Sequence, residues 1–160
     1  KIALSTSNRV AGMHGLEIGQ LPVVTTAVAG ATNKVWGIVM GVMLDHNDFS
    51  KVHYRPASTD AVVKVLLLNN NCRLRVKSDA AVPAASIGLN VNIATITTAS
   101  TVFGKSKMLV DGANAAADVT YQFKIVGIGR DPSNSDLAAA GVELHVVPNV
   151  GYDVHPDVGL

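Results

Sequence analysis

The sequence predicts an all-β protein, a small β-barrel or sandwich of about seven to nine strands with an extended N-terminal arm and a C-terminal tail. Short apolar runs rich in Val, Ile and Thr end at Gly, Asn, Asp or Pro, as strands do. Polar and apolar residues alternate in several of these runs, which indicates one buried and one solvated face. No apolar stripe keeps a helical period over several turns, so no long helix is expected.

The alternation is clearest in three segments, 72–79, 119–129 and 141–148. In 72–79 ("CRLRVKSD") every basic residue falls on one face. In 119–129 ("VTYQFKIVGIG") the alternation places Gln122 and Lys124 on the wet face, opposite the large apolar residues. In 141–148 ("GVELHVVP") valine and leucine oppose glutamate and histidine. Each segment is predicted to be a strand with one buried face.

Two segments, 35–44 and 61–68, are apolar on both faces. Such strands are expected to be covered twice, by the core and by another layer or subunit. Gly37 and Gly41 in the first segment would allow strong bending, as at the corner of a small barrel.

Turn-forming residues separate the strands. One such stretch, 135–141 ("SDLAAAG"), is predicted to form a single helical turn that is capped by Ser135 and ends at Gly141. The other loops are predicted at 45–48, 55–60, 69–71, 77–83, 111–118 and 130–136.

The two ends of the chain differ from the middle. Glycine and proline interrupt single apolar residues without a steady period, so the sequence divides into an arm (1–20), a β-barrel domain (21–148) and a tail (149–160). Apolar residues in such arms suit docking on a neighbouring molecule. The candidate partner-contact residues are Arg9, Met13, Leu16, Ile18 and Tyr152.

Composition narrows the function classes. The 160 residues are 48% hydrophobic and only 16% charged, with a net charge of +1. No run of basic residues suggests nucleic acid binding, and no apolar stretch approaches the ~20 residues that span a bilayer. The single cysteine, Cys72, cannot form a disulfide within the chain or a Cys-x-x-Cys site, and it is expected to be a buried small side chain.

The triplet Gly104-Lys105-Ser106 matches the end of a phosphate-binding loop. That motif needs an earlier glycine, where this chain has Ala99, and a following helix, for which "KMLVDG" (107–112) is too short. The triplet is therefore interpreted as a loop that enters a short strand, and no nucleotide is expected to bind.

Other chemistry also lacks its sequence pattern. The five histidines show no metal-ligand spacing, and no G-x-S-x-G motif is present. We therefore expect no enzyme activity, no cofactor and no metal, although catalytic groups distant in sequence could still assemble in space, so a small hydrolase stays an alternative. The aromatic fraction of 4% and the apolar surroundings of Trp36, which predict a core position, argue against a lectin.

The order of motifs from Val35 to Val147 resembles that of small β-barrel structural proteins in the heads of tailed bacteriophages, which decorate or cement the major capsid shell. The motifs that carry the resemblance read "GIVMGVML" (37–44), "YRPAST" (54–59), "AVVKVLLL" (61–68), "SIGLNVNI" (86–93) and "YQFKIVGIGRDPSN" (121–134). Asn69-Asn70-Asn71 stands where related sequences often carry an acidic turn ending in proline.

The resemblance implies a virion protein on the capsid exterior that binds the major capsid protein and stabilises the shell across subunit seams. Copies of the chain would also contact each other, as a trimer if they sit on a symmetry axis, with 61–68 as the face that such a neighbour covers. The alternative from a different class is a β-domain on a virion or cell surface that binds a glycan or a receptor.

Overall fold

The computed structural model describes residues 3–4, 24–25, 27–43, 62–94, 106–134 and 136–149. These residues form strands, turns and two short 3-10 segments, Ala84–Ser86 and Pro132–Asn134, with no α-helix among them. The prediction of an all-β fold is confirmed. The strands are β1 (Ala3–Leu4), β2 (Val24–Thr25), β3 (Gly37–Val42), β4 (Val63–Leu67), β5 (Leu74–Ser78), β6 (Asn90–Val91), β7 (Leu109–Val110), β8 (Phe123–Ile128) and β9 (Glu143–Pro148).

Five strands form a curled sheet in the order β6-β8-β9-β5-β7. All neighbours are antiparallel except β5 and β7, which pair in parallel. The two edges of the sheet meet where Ile93 forms an isolated bridge with Val110. Backbone hydrogen bonds flank this bridge, from the Ala94 N–H to the Leu109 carbonyl (3.0 Å) and from the Asp111 N–H to the Asn92 carbonyl (2.9 Å). Curling of this kind pairs edge strands that would otherwise be open to other chains.

The core fills the inside of this curled sheet. Its buried apolar side chains come from β6, β7, β8 and β9 and from the turns beside them, while Leu74 and Val76 of β5 are partly buried against them. Trp36 and Leu68 extend the core toward β3 and β4. The members with no more than 5% exposure are Ala27, Val35, Leu68, Val82, Val91, Ile93, Val110, Phe123, Ile125, Val142, Leu144 and Val146. The predicted core position of Trp36 is confirmed, since its side chain is 0% exposed.

The alternation in 72–79 and 141–148 is confirmed. Along β5, residues alternate between half-buried and exposed, and along β9 between half-buried and buried. The prediction for Gln122 is wrong, because its side chain is completely buried. Gln122 precedes the first residue of β8, and its amide group satisfies backbone groups in the core, which offsets the cost of burying it.

The Gln122 amide joins three parts of the chain. Its Oε1 accepts a hydrogen bond from the Ile93 N–H (2.9 Å). Its Nε2 donates to the Val28 and Asn33 carbonyls, each at 2.8 Å. The segment 27–36 is thereby tied to the sheet, and the Thr32 N–H adds a bond to the Thr120 carbonyl (2.9 Å).

Two asparagines play similar parts beside β8 and β9. Asn149 Nδ2 donates to the Val119 and Tyr121 carbonyls at 3.2 and 3.0 Å. Asn134 Nδ2 donates to the Gly129 and Glu143 carbonyls, and its Oδ1 accepts from the Glu143 N–H at 2.7 Å. Side-chain amides thus form hydrogen bonds with backbone groups of these irregular turns.

The predicted helical turn at 135–141 does not form as an α-helix. Residues 137–141 make consecutive turns, in which the Asp136 carboxylate accepts from the Ala138 N–H (3.0 Å). The proposed cap, Ser135, lies outside the described residues. Gly141, which was predicted to end the helix, lies instead at the end of these turns, with a φ of 84° that glycine adopts readily.

Candidate interaction surface

Strands β3 and β4 form a separate two-stranded antiparallel ribbon. At its base the Leu68 N–H donates to the Trp36 carbonyl (3.0 Å), and both side chains are 0% exposed. At the other end the Met43 N–H donates to the Val62 carbonyl (2.8 Å). The ribbon therefore begins in the core and ends at solvent.

The ribbon concentrates the exposed apolar surface of the described residues. Five of the eight large apolar side chains exposed there belong to it or to its outer end, at fractions between 43% and 68%: Met40, Met43, Val62, Leu66 and Leu67. Its one charged side chain among the described residues is Lys64. A surface of this composition loses few solvated charges when a partner covers it, so burial there is favourable.

Neither face of the ribbon is fully covered. Leu66 and Leu67 are consecutive, so their side chains point to opposite faces, yet they are 47% and 45% exposed. The described residues therefore do not supply the double cover expected for 35–44 and 61–68 at these positions. Within the described residues, the outer edges of β3 and β4 also have no strand partner.

A bulge and two glycines shape the ribbon. The register shifts between Val39 and Gly41, so Met40 is the extra residue, and it is the most exposed large apolar side chain described. At Gly37 a Cβ would lie 2.7 Å from the Leu66 carbonyl oxygen, so the strands approach each other too closely for a larger residue. Gly41 has open space around it.

A shallow groove of about 310 Å³ lies elsewhere, between β5, β9 and the turn after β8. It is lined by Arg75, Gly129, Arg130, Asp131, Pro132 and His145. Arg75 bonds the Glu143 carboxylate through Nε (2.5 Å) and through Nη2. The groove is rich in charged donors but holds no hydroxyl or thiol nucleophile.

The structure leaves the proposed contact residues of the arm and tail untested. Arg9, Met13, Leu16, Ile18 and Tyr152 all lie outside the described residues. No individual contact residues on the ribbon were named from the sequence. The signal that could have identified them is that 35–44 and 61–68 are apolar on both faces.

The remaining sequence candidates are placed in part. Four of the five histidines and the loops at 45–48 and 55–60 lie outside the described residues, as do Gly104 and Lys105. Ser106 leads through Met108 into strand β7, which agrees with a loop that enters a short strand. Cys72 is half-buried rather than buried, and its Sγ donates to Asn69 Oδ1 at 3.2 Å.

Trp36 offers no exposed platform for stacking on a sugar, because it is buried. In the part of the chain that the structure describes, no three His, Cys, Asp or Glu side chains lie together as a metal site would need. The same part contains no helix that is long and apolar enough to span a membrane. Comparison of the chain with protein-family models, curated proteins and solved structures gives no match.

Proposed function

We propose that the chain is a structural protein of a tailed-bacteriophage head that binds the outer surface of the capsid shell. The observation that carries the proposal is the apolar β3–β4 ribbon, which extends from a firmly packed barrel. The resemblance of the motif order to head decoration proteins gives the partner, the major capsid protein. The role is to hold neighbouring shell subunits together rather than to catalyse a reaction.

The ribbon supplies enough apolar surface for a useful contact. Fully burying a large aliphatic side chain contributes about 1.5–3 kcal/mol, and the five side chains are each about half exposed. Covering them would therefore contribute on the order of 4–8 kcal/mol before the entropic cost of association. Contacts to several shell subunits by several copies would add avidity, so each one can be weak.

The packing at the base of the ribbon supports the same role. Trp36 and Leu68 are buried in the core, and the segment before Trp36 is held to the sheet by Gln122. A contact surface held in one position loses less conformational entropy when it binds. Force applied at the ribbon would be transmitted to the barrel through its buried base.

The test uses shells of the phage that encodes the chain, from which the bound copies of this chain have been removed. Rebinding of purified protein is then measured by co-sedimentation with these shells. Wild type should rebind in a fixed ratio to the major shell protein. The double variant Met40→Lys/Leu66→Lys should rebind at least tenfold more weakly, because each lysine must lose its hydration. The matched control, Ile87→Lys/Val119→Lys, changes two exposed apolar residues elsewhere and should bind as wild type does.

Both variants should keep the urea midpoint of the wild type, since the four side chains are exposed. Wild-type protein that never associates with shells would refute the proposed function. Equal binding by the Met40/Leu66 variant and the control would leave shell binding intact but would refute the ribbon as its contact.

A further inference from the structure

The outer face of the five-stranded sheet carries a local excess of positive charge. Among the described residues, five cationic side chains lie on strands β5 and β8 or next to their ends: Arg73, Arg75, Lys77, Lys124 and Arg130. Two described carboxylates, Asp131 and Glu143, lie within ion-pair distance of some of these cations, so the seven named residues together carry a net charge of +3. Since the whole chain has a net charge of +1, the remainder carries −2. The charge is therefore unevenly distributed, and we call these seven residues together with His145 the basic face.

Strand register brings the basic face together. On adjacent strands Arg75 pairs with His145 and Lys77 pairs with Glu143, while Lys124 pairs with Val147 one strand further on. Neighbouring strands are about 4.8 Å apart and alternate residues of one strand about 6.8 Å apart. The strand-borne cations therefore lie within an area of about 10 by 14 Å, small enough to meet one peptide segment.

The two carboxylates orient the cations without neutralising all of them. Glu143 lies between Arg75 and Lys77, whose Nζ is 4.0 Å from the second carboxylate oxygen. The Arg75 Nη2 also approaches Asp131 at 3.9 Å. The side chains of Arg75 and Lys77 are still 58% and 59% exposed, so they can meet a partner. Next to Arg75, the groove that Arg130 and His145 line offers space for a side chain.

We infer that the basic face binds an acidic polypeptide segment. Guanidinium groups match carboxylates in geometry, and exposed cations accelerate encounter with an acidic partner. Nucleic acid fits less well, because the basic face has no Phe, Tyr or Trp for stacking on bases and two carboxylates would repel phosphates. A basic face of this kind would bind such a segment whether or not the chain belongs to a phage head.

The experiment measures fluorescence anisotropy of a labelled ten-residue polyglutamate peptide titrated with the purified chain at low salt. The test variant is Arg73→Glu/Arg130→Glu, which changes two cations and leaves the Arg75–Glu143 pair in place. The matched control is Lys34→Glu/Lys64→Glu, which changes the net charge equally but at two cations outside the five-stranded sheet. A ten-nucleotide oligothymidine is the competing probe.

The test variant should bind the peptide at least about tenfold more weakly, since an exposed ion pair contributes up to about a factor of five and here two are reversed. The control should stay within about threefold of wild type, and affinity should fall as salt rises. If the test variant fails to fold, Arg73→Gln/Arg130→Gln replaces it with a smaller expected loss. Equal losses in variant and control, no peptide binding, or tighter binding of the oligothymidine would each overturn the inference.

Discussion

Replacing the buried Gln122 with methionine should be among the most damaging single changes in the barrel. Methionine has nearly the same shape but can neither donate nor accept a strong hydrogen bond. The variant Gln122→Met therefore keeps the volume of the side chain and removes three hydrogen bonds at once. The Ile93 N–H and the Val28 and Asn33 carbonyls each lose their partner.

The size of the loss depends on which of these groups can reach water. An unpartnered buried group costs about 1–3 kcal/mol. Ile93 is 2% exposed and lies where the sheet edges meet, so its N–H should bear the full cost. The segment that carries Val28 is partly exposed and can shift toward solvent, which reduces the cost of the two carbonyls. We expect a loss of about 3–5 kcal/mol from a total that is typically about 5–15 kcal/mol for a domain.

The assay is urea unfolding followed by fluorescence of Trp36, the single tryptophan. The midpoint should fall with an unchanged m value, and amide exchange at Ile93 should accelerate. Lys124→Met, two residues further along the chain and on the outer face, is the control and should change stability by no more than about 0.5 kcal/mol. A loss below about 1 kcal/mol, with the Ile93 amide still protected, would refute the role assigned to Gln122.

Three further perturbations test other parts of the structure. Gly37→Ala should cost about 1–3 kcal/mol in urea unfolding, because its Cβ would clash with Val65 Cγ1 and lie 2.7 Å from the Leu66 carbonyl oxygen. The control Gly41→Ala should be close to neutral, and equal effects of the two changes would contradict the close approach at Gly37. Asn134→Ala should cost about 1–3 kcal/mol by the same assay, since its half-buried amide makes three hydrogen bonds to the backbone that water can only partly replace. An unchanged urea midpoint would show that the turn does not need these hydrogen bonds. Hydrogen bonds from the Thr120 N–H and hydroxyl lower the pKa of Asp118, so the ionised carboxylate stabilises the fold above the ordinary carboxyl pKa, and this stabilisation is lost as the pH falls through the lowered pKa. The urea midpoint of wild type should therefore fall more steeply with acid than that of Asp118→Asn, and parallel curves would contradict this.

Local patterns were enough to predict much of the barrel. Alternation along 72–79 and 141–148 identified both strands and their buried faces, because side chains on a strand alternate whatever its neighbours are. Apolar surroundings likewise placed Trp36 in the core. Glycine at 141 was predicted to end a helical turn and instead ends the turns at 137–141, in a conformation that glycine adopts readily.

What the sequence could not predict depends on partners that are distant along the chain. Gln122 reads as a solvated residue until 27–36 and Ile93 are placed beside it. The parallel pairing of β5 with β7 and the bridge from Ile93 to Val110 are likewise non-local. The basic face is a mixed case. Alternation predicted its β5 side chains, but only the register of β8 and β9 brings Lys124 and His145 near them.

The ribbon and the basic face differ in physical character, and this difference determines how binding to a partner should respond to conditions. Burial of the ribbon's apolar side chains is strengthened by excluded salts such as sulfate. Attraction at the basic face is screened once the Debye length falls to about 10 Å or less, as it does near 0.1 M salt. A partner held mainly by the ribbon would therefore stay bound at high salt. Its association would be slower, because little electrostatic attraction guides it to the ribbon. A partner held mainly by the basic face would dissociate, so the salt dependence of one complex indicates which surface contributes most of its affinity.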